Sequence, residues 1–280
     1  MQPLHQIIKR WLASSKLRTR EQSRTLSLRE MRSQYLLDPN RPPNAPIPFG
    51  YRMGWLALRT TDTQAVLHCL RLTDPQAISW GAGMLAQERS WEADRGGGAR
   101  GQREGEEPRR SCFVTPCVRG WTLVLGPFRW GISWRYQERE SLITKLSRSF
   151  DEVQSFLTDR IPEIHHWMQA RKGVLLRSFA CDGEKGIIWS DYGALTSVEQ
   201  GFDWAGLYDL RWFPDEEDVL RVAAAWSLNP ATLDTIDPAE IEGTGVLAQV
   251  PREALLDRFF LLARHPPTAS LDPTSTWELS

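Results

Sequence analysis

The residues best suited to chemistry lie in the run from Glu163 to Trp167, which reads Glu-Ile-His-His-Trp. An imidazole beside a carboxylate can form a small acid–base pair, and the same two groups can bind a metal ion. We predict a strand over residues 163–169, and neighbouring side chains of a strand point to opposite faces. Only one histidine can then share a face with Glu163, which makes Glu163 and His165 the natural pair.

Two candidate ligands do not make a metal site, because zinc sites use more protein ligands than that. We therefore favour an ordinary sheet face with polar side chains, and we predict no metal and no cofactor. Glu163, His165 and His166 are kept only as candidates for a catalytic site.

The four cysteines, Cys69, Cys112, Cys117 and Cys181, lack the paired spacing of metal-binding and redox motifs. A nucleophilic thiolate needs a nearby base and a lowered pKa, and no sequence pattern supplies them. We predict free thiols that serve packing, in a reducing compartment.

Two further runs resemble ligand sites and have simpler explanations. Residues 95–101 are rich in Arg and Gly, but they lead into the acids of residues 104–107, which would repel phosphate. The consecutive acids at 215–218 cannot converge on a cation, because helical neighbours point about 100° apart. Their position at the start of a predicted helix explains them, since carboxylates stabilise the positive end of the helix dipole.

The elements that must position these residues are dominated by one hairpin, from Cys112 to Gly126. Pro116 should end its first strand because proline cannot donate to a ladder, and Gly120 can take a positive φ before the second. Trp121 to Leu125 is apolar on both faces, which predicts a central strand covered on both sides.

Apolar spacing elsewhere predicts helices that alternate with short strands. Helices are expected over 62–70, 138–150 and from 214 to 226, and further strands over 55–59, 78–86, 153–157, 163–169, 174–181 and 186–190. The fold class is α+β, with a mainly antiparallel sheet and flanking helices. The parallel between 62–125 and 138–190 suggests a duplicated helix-plus-strands unit.

Composition shifts predict three parts of the chain. Residues 1–52 are a basic segment that ends in a proline-rich linker at 39–48, and residues 53–233 are the globular domain. Within that domain, residues 89–111 are predicted to be a disordered insertion. Residues 234–280 are a C-terminal extension with a mobile tail.

The overall composition excludes several classes of protein. The net charge is −1, so no strong global field attracts nucleic acid or a membrane surface, and no apolar run reaches the length of a bilayer span. The 13 tryptophans are unusual, and tryptophan serves as a large packing residue or as an anchor of binding surfaces.

The run Phe113-Val114-Thr115-Pro116, followed after three residues by Gly120-Trp121-Thr122-Leu123-Val124-Leu125-Gly126, resembles a signature of a family of uncharacterised bacterial proteins. The stretches 55–60, 214–219 and 225–227 are similar to that family too, so the resemblance covers residues 53–233. It implies a bacterial, cytoplasmic protein and brings no activity, substrate or site. The family domain begins near the first strand and has a shorter insertion or none, so residues 1–52 and 89–111 depart from it.

The combination of no clear catalytic constellation and many aromatic residues favours a non-enzymatic, cytoplasmic protein that binds another protein. By analogy, the role would be that of an accessory or immunity protein. The alternative is an enzyme with a site around Glu163, His165 and His166. A further alternative is a nucleic-acid-associated protein that uses the basic N-terminus.

Overall fold

The computed structural model describes residues 42–94, 111–126 and 132–250. Its strands are β1 (Gly54–Leu58), β2 (Thr73–Ile78), β3 (Ser111–Val118), β4 (Trp121–Leu125), β5 (Glu152–Asp159), β6 (Ile164–Arg171), β7 (Val174–Asp182), β8 (Ile187–Tyr192), β9 (Ile241–Glu242) and β10 (Gly245–Gln249). Its helices are α1 (Thr63–Cys69), α2 (Trp80–Asp94), α3 (Ile132–Phe150), α4 (Trp204–Tyr208) and α5 (Glu216–Trp226), with 3₁₀ turns at Glu199–Gly201, Pro230–Thr235 and Pro238–Glu240. None of the helices in these ranges is both long enough and apolar enough to cross a membrane.

The strands form one sheet in the order β2-β10-β3-β4-β1-β5-β6-β7-β8, and the short β9 pairs with β3. Each pairing is antiparallel, which confirms the predicted α+β class with a mainly antiparallel sheet. β1 joins the strands of the two sequence halves by pairing with both β4 and β5. The duplication of the two halves stays a prediction.

Alternating side chains build a hydrophobic core on each face of the sheet. The aromatic core lies on the α5 side and includes Trp55, Trp80, Phe113, Phe156, Trp167, Phe179, Phe202, Val219 and Val222. The aliphatic core lies on the side of α1 and α3 and includes Leu56, Leu58, Val66, Val114, Val124, Ile143, Leu146, Met168 and Ala180. The sheet is therefore the middle of three layers, and its central strands are buried on both faces.

The β3–β4 hairpin confirms the strongest sequence signal. Arg119 and Gly120 both have positive φ (50° and 79°), as expected for a two-residue hairpin connection. The prediction that Pro116 ends the first strand is wrong. Pro116 lies inside β3, at a register shift between Val114 and Cys117. The shift accommodates the missing donor, and the Thr115 hydroxyl accepts a hydrogen bond from the Leu123 amide at 3.0 Å.

The segment after α1 differs from the prediction. A strand was expected over 78–86, but β2 ends at Ile78 and α2 begins at Trp80. Trp80 and Met84 are buried, and their spacing of four puts them on one helix face. The predicted insertion also starts too early and ends too late, because residues 89–94 continue α2 and Ser111 begins β3. Residues 95–110 lie outside the described ranges.

The core extends beyond the predicted domain bounds of 53–233. At the N-terminal side, Ile47 and Phe49 are buried in the aromatic core, although the proline-rich run had been interpreted as a linker. At the C-terminal side, β10 lies between β2 and β3, inside the sheet. Proline-rich chain can pack where its backbone groups find partners, as when the Phe49 amide donates to the Pro230 carbonyl at 2.9 Å. Residues 1–41 and the predicted mobile tail lie outside the described ranges.

Candidate functional site

Strand β6 places the two candidate histidines on opposite faces of the sheet, as the alternation of a strand requires. His165 pairs in register with Thr158 and Cys181, on the side of the aromatic core. His166 pairs with Leu157 and Ala180, on the side of the aliphatic core. One imidazole therefore cannot assist the other through a shared pocket.

Glu163 lies outside the strand, in the turn between β5 and β6. Its φ of 50° turns the chain there, and its carbonyl accepts a hydrogen bond from the Gly183 amide at 2.8 Å. The Glu163 side chain packs so closely on Gly183 that a Cβ at position 183 would lie 2.9 Å from its carboxylate. The three candidates are thus divided among one turn and the two faces of the sheet.

Both histidines are buried and favour the neutral form. Burial lowers the pKa of His165 to about 4, although the nearby Asp159 carboxylate raises it. Burial also lowers the pKa of His166 well below its usual value, and the charges of Arg139 and His165 lower it further. The faces that carry them are buried and packed, whereas the sequence predicts an ordinary polar sheet face.

His166 makes the one contact here that resembles a catalytic pair. Its Nε2 lies 3.0 Å from the Ser155 hydroxyl oxygen, the arrangement in which a base activates a nucleophile. Both side chains are fully buried at 0% exposure, under the helix that packs on the aliphatic core. A hydroxyl that no substrate can reach serves packing, so we interpret the pair as a buried structural contact.

The cysteines also serve packing in this structure. Cys112, Cys117 and Cys181 are buried, and all four described thiols are free. Burial raises the pKa of Cys112 to about 12 and also raises that of Cys181, so neither thiolate forms readily near neutral pH. Within the described ranges, no group of three or more His, Cys, Asp or Glu residues is placed to hold a metal ion.

The feature that stands out is the β7–β8 end of the sheet. Among the described residues, no strand pairs with the outer side of β8. The large hydrophobic side chains that the described region exposes, apart from Ile161, lie on β7, on β8 or in the segment that follows β8; they are Val174, Leu176, Ile187, Tyr192, Leu195 and Tyr208. An open edge with exposed apolar side chains around it is typical of an interaction surface.

A buried ion network holds this end together. The Arg177 side chain is 1% exposed and donates to Glu199 Oε1 at 2.7 Å and to Asp191 Oδ1 at 2.6 Å. Glu199 also accepts from the Trp167 indole N–H at 2.7 Å, and Asp191 accepts from the Tyr208 hydroxyl. The network links β7, β8 and the segment after β8, so the edge strand is firmly positioned although its outer side is open.

The opposite edge, β2, has a different character. It carries Pro75, which cannot donate to a partner strand, and Asp74 with a φ of 51°. Its pairing with β10 is irregular between Leu247 and Gln249, and its first five residues are exposed and none is a large hydrophobic residue. These are devices by which proteins discourage edge-to-edge pairing.

Nothing in the local sequence predicts the β8 surface. The run Ile187-Ile188-Trp189 was assigned to a strand, but its position at an edge depends on the strand order, which local patterns do not contain. The one local signal is a pair of glycines that flank the strand. Gly186 and Gly193 both have positive φ, so the chain turns before and after β8.

Comparisons with protein-family models, with curated proteins and with solved structures found no match.

Proposed function

We infer that this chain is a protein-binding module that engages its partner at the open edge of β8. The observation that carries the inference is the concentration of exposed hydrophobic side chains around this edge and their absence from β2. Strand addition suits such a surface, because unpaired backbone groups give affinity and neighbouring side chains give specificity.

The edge lacks proline and unpaired charge, two of the devices that discourage pairing, although its pairing with β7 shifts register between Ala180 and Cys181. β8 contains no proline and no lysine, and its one carboxylate, Asp191, is turned into the ion network with Arg177. An inward-pointing charge would protect an edge only if it were left unpaired when another strand approached. Here the carboxylate is already satisfied, so an added strand meets no desolvated charge.

Catalysis around Glu163, His165 and His166 is the less favoured function. The three side chains are separated by the sheet, and the two imidazoles are buried. A binding role in the cytoplasm of a bacterium, accessory or immunity-like in kind, remains the proposal that agrees with the sequence. The basic N-terminus, which carries the nucleic-acid alternative, lies outside the described ranges.

The test is affinity capture from native lysate with matched edge variants. Ile187→Lys/Tyr192→Lys places two charges on side chains that are 41% and 55% exposed, so folding should be preserved. Gln76→Lys places a charge on the β2 edge and is the matched control. We expect wild type and Gln76→Lys to retain the same partner and the β8 variant to lose it. Equal capture by all three would contradict the proposal.

A further inference from the structure

We propose that the strand which the β8 edge accepts is β8 of a second copy of this chain, arranged about a twofold axis perpendicular to the sheet. This inference rests on the proposed use of the edge and adds the identity of the partner. A twofold axis pairs the strand antiparallel to itself, so each residue must match another residue of the same strand.

The faces of β8 follow from its pairing with β7. Ile188 pairs with Cys181, and Asp191 pairs with Phe179, so both lie on the side of the aromatic core. Ser190 pairs with Ala180 on the aliphatic side, and Trp189 packs against the aliphatic core.

The two ends of the strand lie on the aliphatic side as well. Tyr192 pairs with Ser178, whose hydroxyl donates to Glu140 of α3, and Ile187 pairs with Asp182, two residues from Ala180. Trp189 is an extra residue at the register shift between Ala180 and Cys181, which is why two neighbours share a face.

The resulting pattern of faces reads the same in both directions along β8. From Ile187 to Tyr192 it is aliphatic, aromatic, aliphatic, aliphatic, aromatic, aliphatic. A copy that pairs about the centre between Trp189 and Ser190 therefore matches every residue to a partner on the same face. A regular strand from another protein would have to skip Trp189, as β7 does.

The same register also fits in charge and in apolar contact. Asp191 of each copy meets Ile188 of the other, so no two carboxylates oppose each other across the pair. Ile187 of each copy meets Tyr192 of the other, and these are exposed apolar side chains of the edge itself. A twofold axis through Asp191 would place the two Asp191 carboxylates opposite each other. An axis through Trp189 or through Ser190 would pair residues that lie on opposite faces of the sheet.

The experiment is sedimentation velocity of the full chain over a wide range of protein concentrations. We expect wild type to sediment as a dimer, and Ile187→Lys and Tyr192→Glu each to weaken dimerisation by about tenfold or more. In the proposed register, an equimolar mixture of the two variants forms a heterodimer, because the introduced lysine meets the introduced glutamate. Circular dichroism of each variant shows whether it is folded, and Gln76→Lys is the control that keeps dimerisation intact.

Three results would overturn the inference: a wild type that stays monomeric throughout, a dimer that both single variants leave unchanged, or two variants that fail to associate when mixed. These results are separable from a failure of the proposed function. If the wild type is monomeric but Ile187→Lys/Tyr192→Lys abolishes capture of another protein, then β8 is a binding edge and its partner is not a second copy. If the wild type is a dimer but these substitutions do not change its capture of other proteins, then β8 serves self-association only.

Discussion

The two edge strands of this sheet, β2 and β8, differ in the side chains that they expose to solvent. β2 carries Pro75 and a positive φ at Asp74, whereas β8 carries Ile187, Trp189 and Tyr192 and neither of those features. Both edge strands have a register shift in their pairing. Edge strands are liable to pair with other chains unless they are protected. The contrast shows that exposed hydrophobic side chains are not a general property of the edges of this sheet, and it supports the proposed use of β8 in binding.

The two ends also differ in what holds them. The N-terminal segment braces the β2 end through two hydrogen bonds. The Pro43 carbonyl accepts from the Trp80 backbone amide at 2.8 Å, and the Asn44 side-chain amide donates to the Gly243 carbonyl at 2.9 Å. The β8 end is held by the ion network around Arg177. The two ends are therefore held by different contacts, and each set of contacts can be removed by itself.

The largest expected effect is loss of the N-terminal brace. A chain that begins at Met53 lacks Ile47 and Phe49, whose truncation to alanine alone would cost about 2–5 and 3–5 kcal/mol at buried sites. Because domain stability is only about 5–15 kcal/mol, this chain should be barely folded. Urea unfolding against a chain that begins at Pro42 measures the effect. Equal midpoints would show that the segment contributes nothing to the core.

Arg177→Leu should destabilise the β8 end by about 3–5 kcal/mol, since it leaves the buried carboxylate of Glu199 without its cation. Arg211→Leu is the matched control, because it removes an arginine from an exposed pair with Asp209 and should leave the midpoint unchanged. Urea unfolding of both variants decides the point. Similar midpoints would mean that the network does not hold the edge.

Acid should weaken the half of the sheet that contains β6. The pKa of His165 is lowered from 6.5 to about 4 and that of His166 is lowered well below 6.5, so the unfolded chain binds more protons than the folded one below about pH 6.5. Stability present above that pH is therefore lost as the pH falls toward 4, by at most about 1.4 kcal/mol per pH unit for each histidine. The charge of Asp159 raises the pKa of His165 and opposes part of this loss, whereas the charge of Arg139 lowers the pKa of His166 and adds to it.

Urea unfolding at about pH 7 and about pH 5 measures this loss, and His165→Gln should reduce the dependence on pH. A wild type equally stable at both values would contradict the buried, neutral histidines. The β2 edge should be spared at first, because both buried histidines of the described ranges lie in β6.

The smallest effect concerns the protection of β2. In an Ile187→Lys background, Pro75→Thr supplies an amide donor to that edge and should restore only weak self-association. Sedimentation velocity of the two chains makes the comparison. If no association appears, the irregular β2–β10 pairing protects this edge without the proline.

Local sequence patterns predicted the features that depend on local chemistry. The β3–β4 hairpin follows from Gly120 and its apolar flanks, and α1 begins where the Asp62 carboxylate accepts from the Ala65 amide at 2.9 Å. The opposite faces of His165 and His166 follow from strand alternation alone.

The parts that were missed depend on distant partners. β10 finds its place between β2 and β3 only through residues far away in the sequence, so nothing in its own pattern marks it as a strand of this sheet. The apolar residues Trp80 and Met84 fit a strand region or a helix until the surface that they cover is known. The open edge of β8 is likewise a consequence of strand order, which the periodicity of a single strand does not contain.

The most direct test of the central claim is amide hydrogen exchange of the full chain at low and at high protein concentration, compared over residues 187–192 and 73–78. If the β8 edge pairs with a second copy, exchange within residues 187–192 slows as the concentration rises, while exchange within residues 73–78 does not change. Exchange that is independent of concentration in both segments, or that slows in the β2 segment instead, would contradict the account.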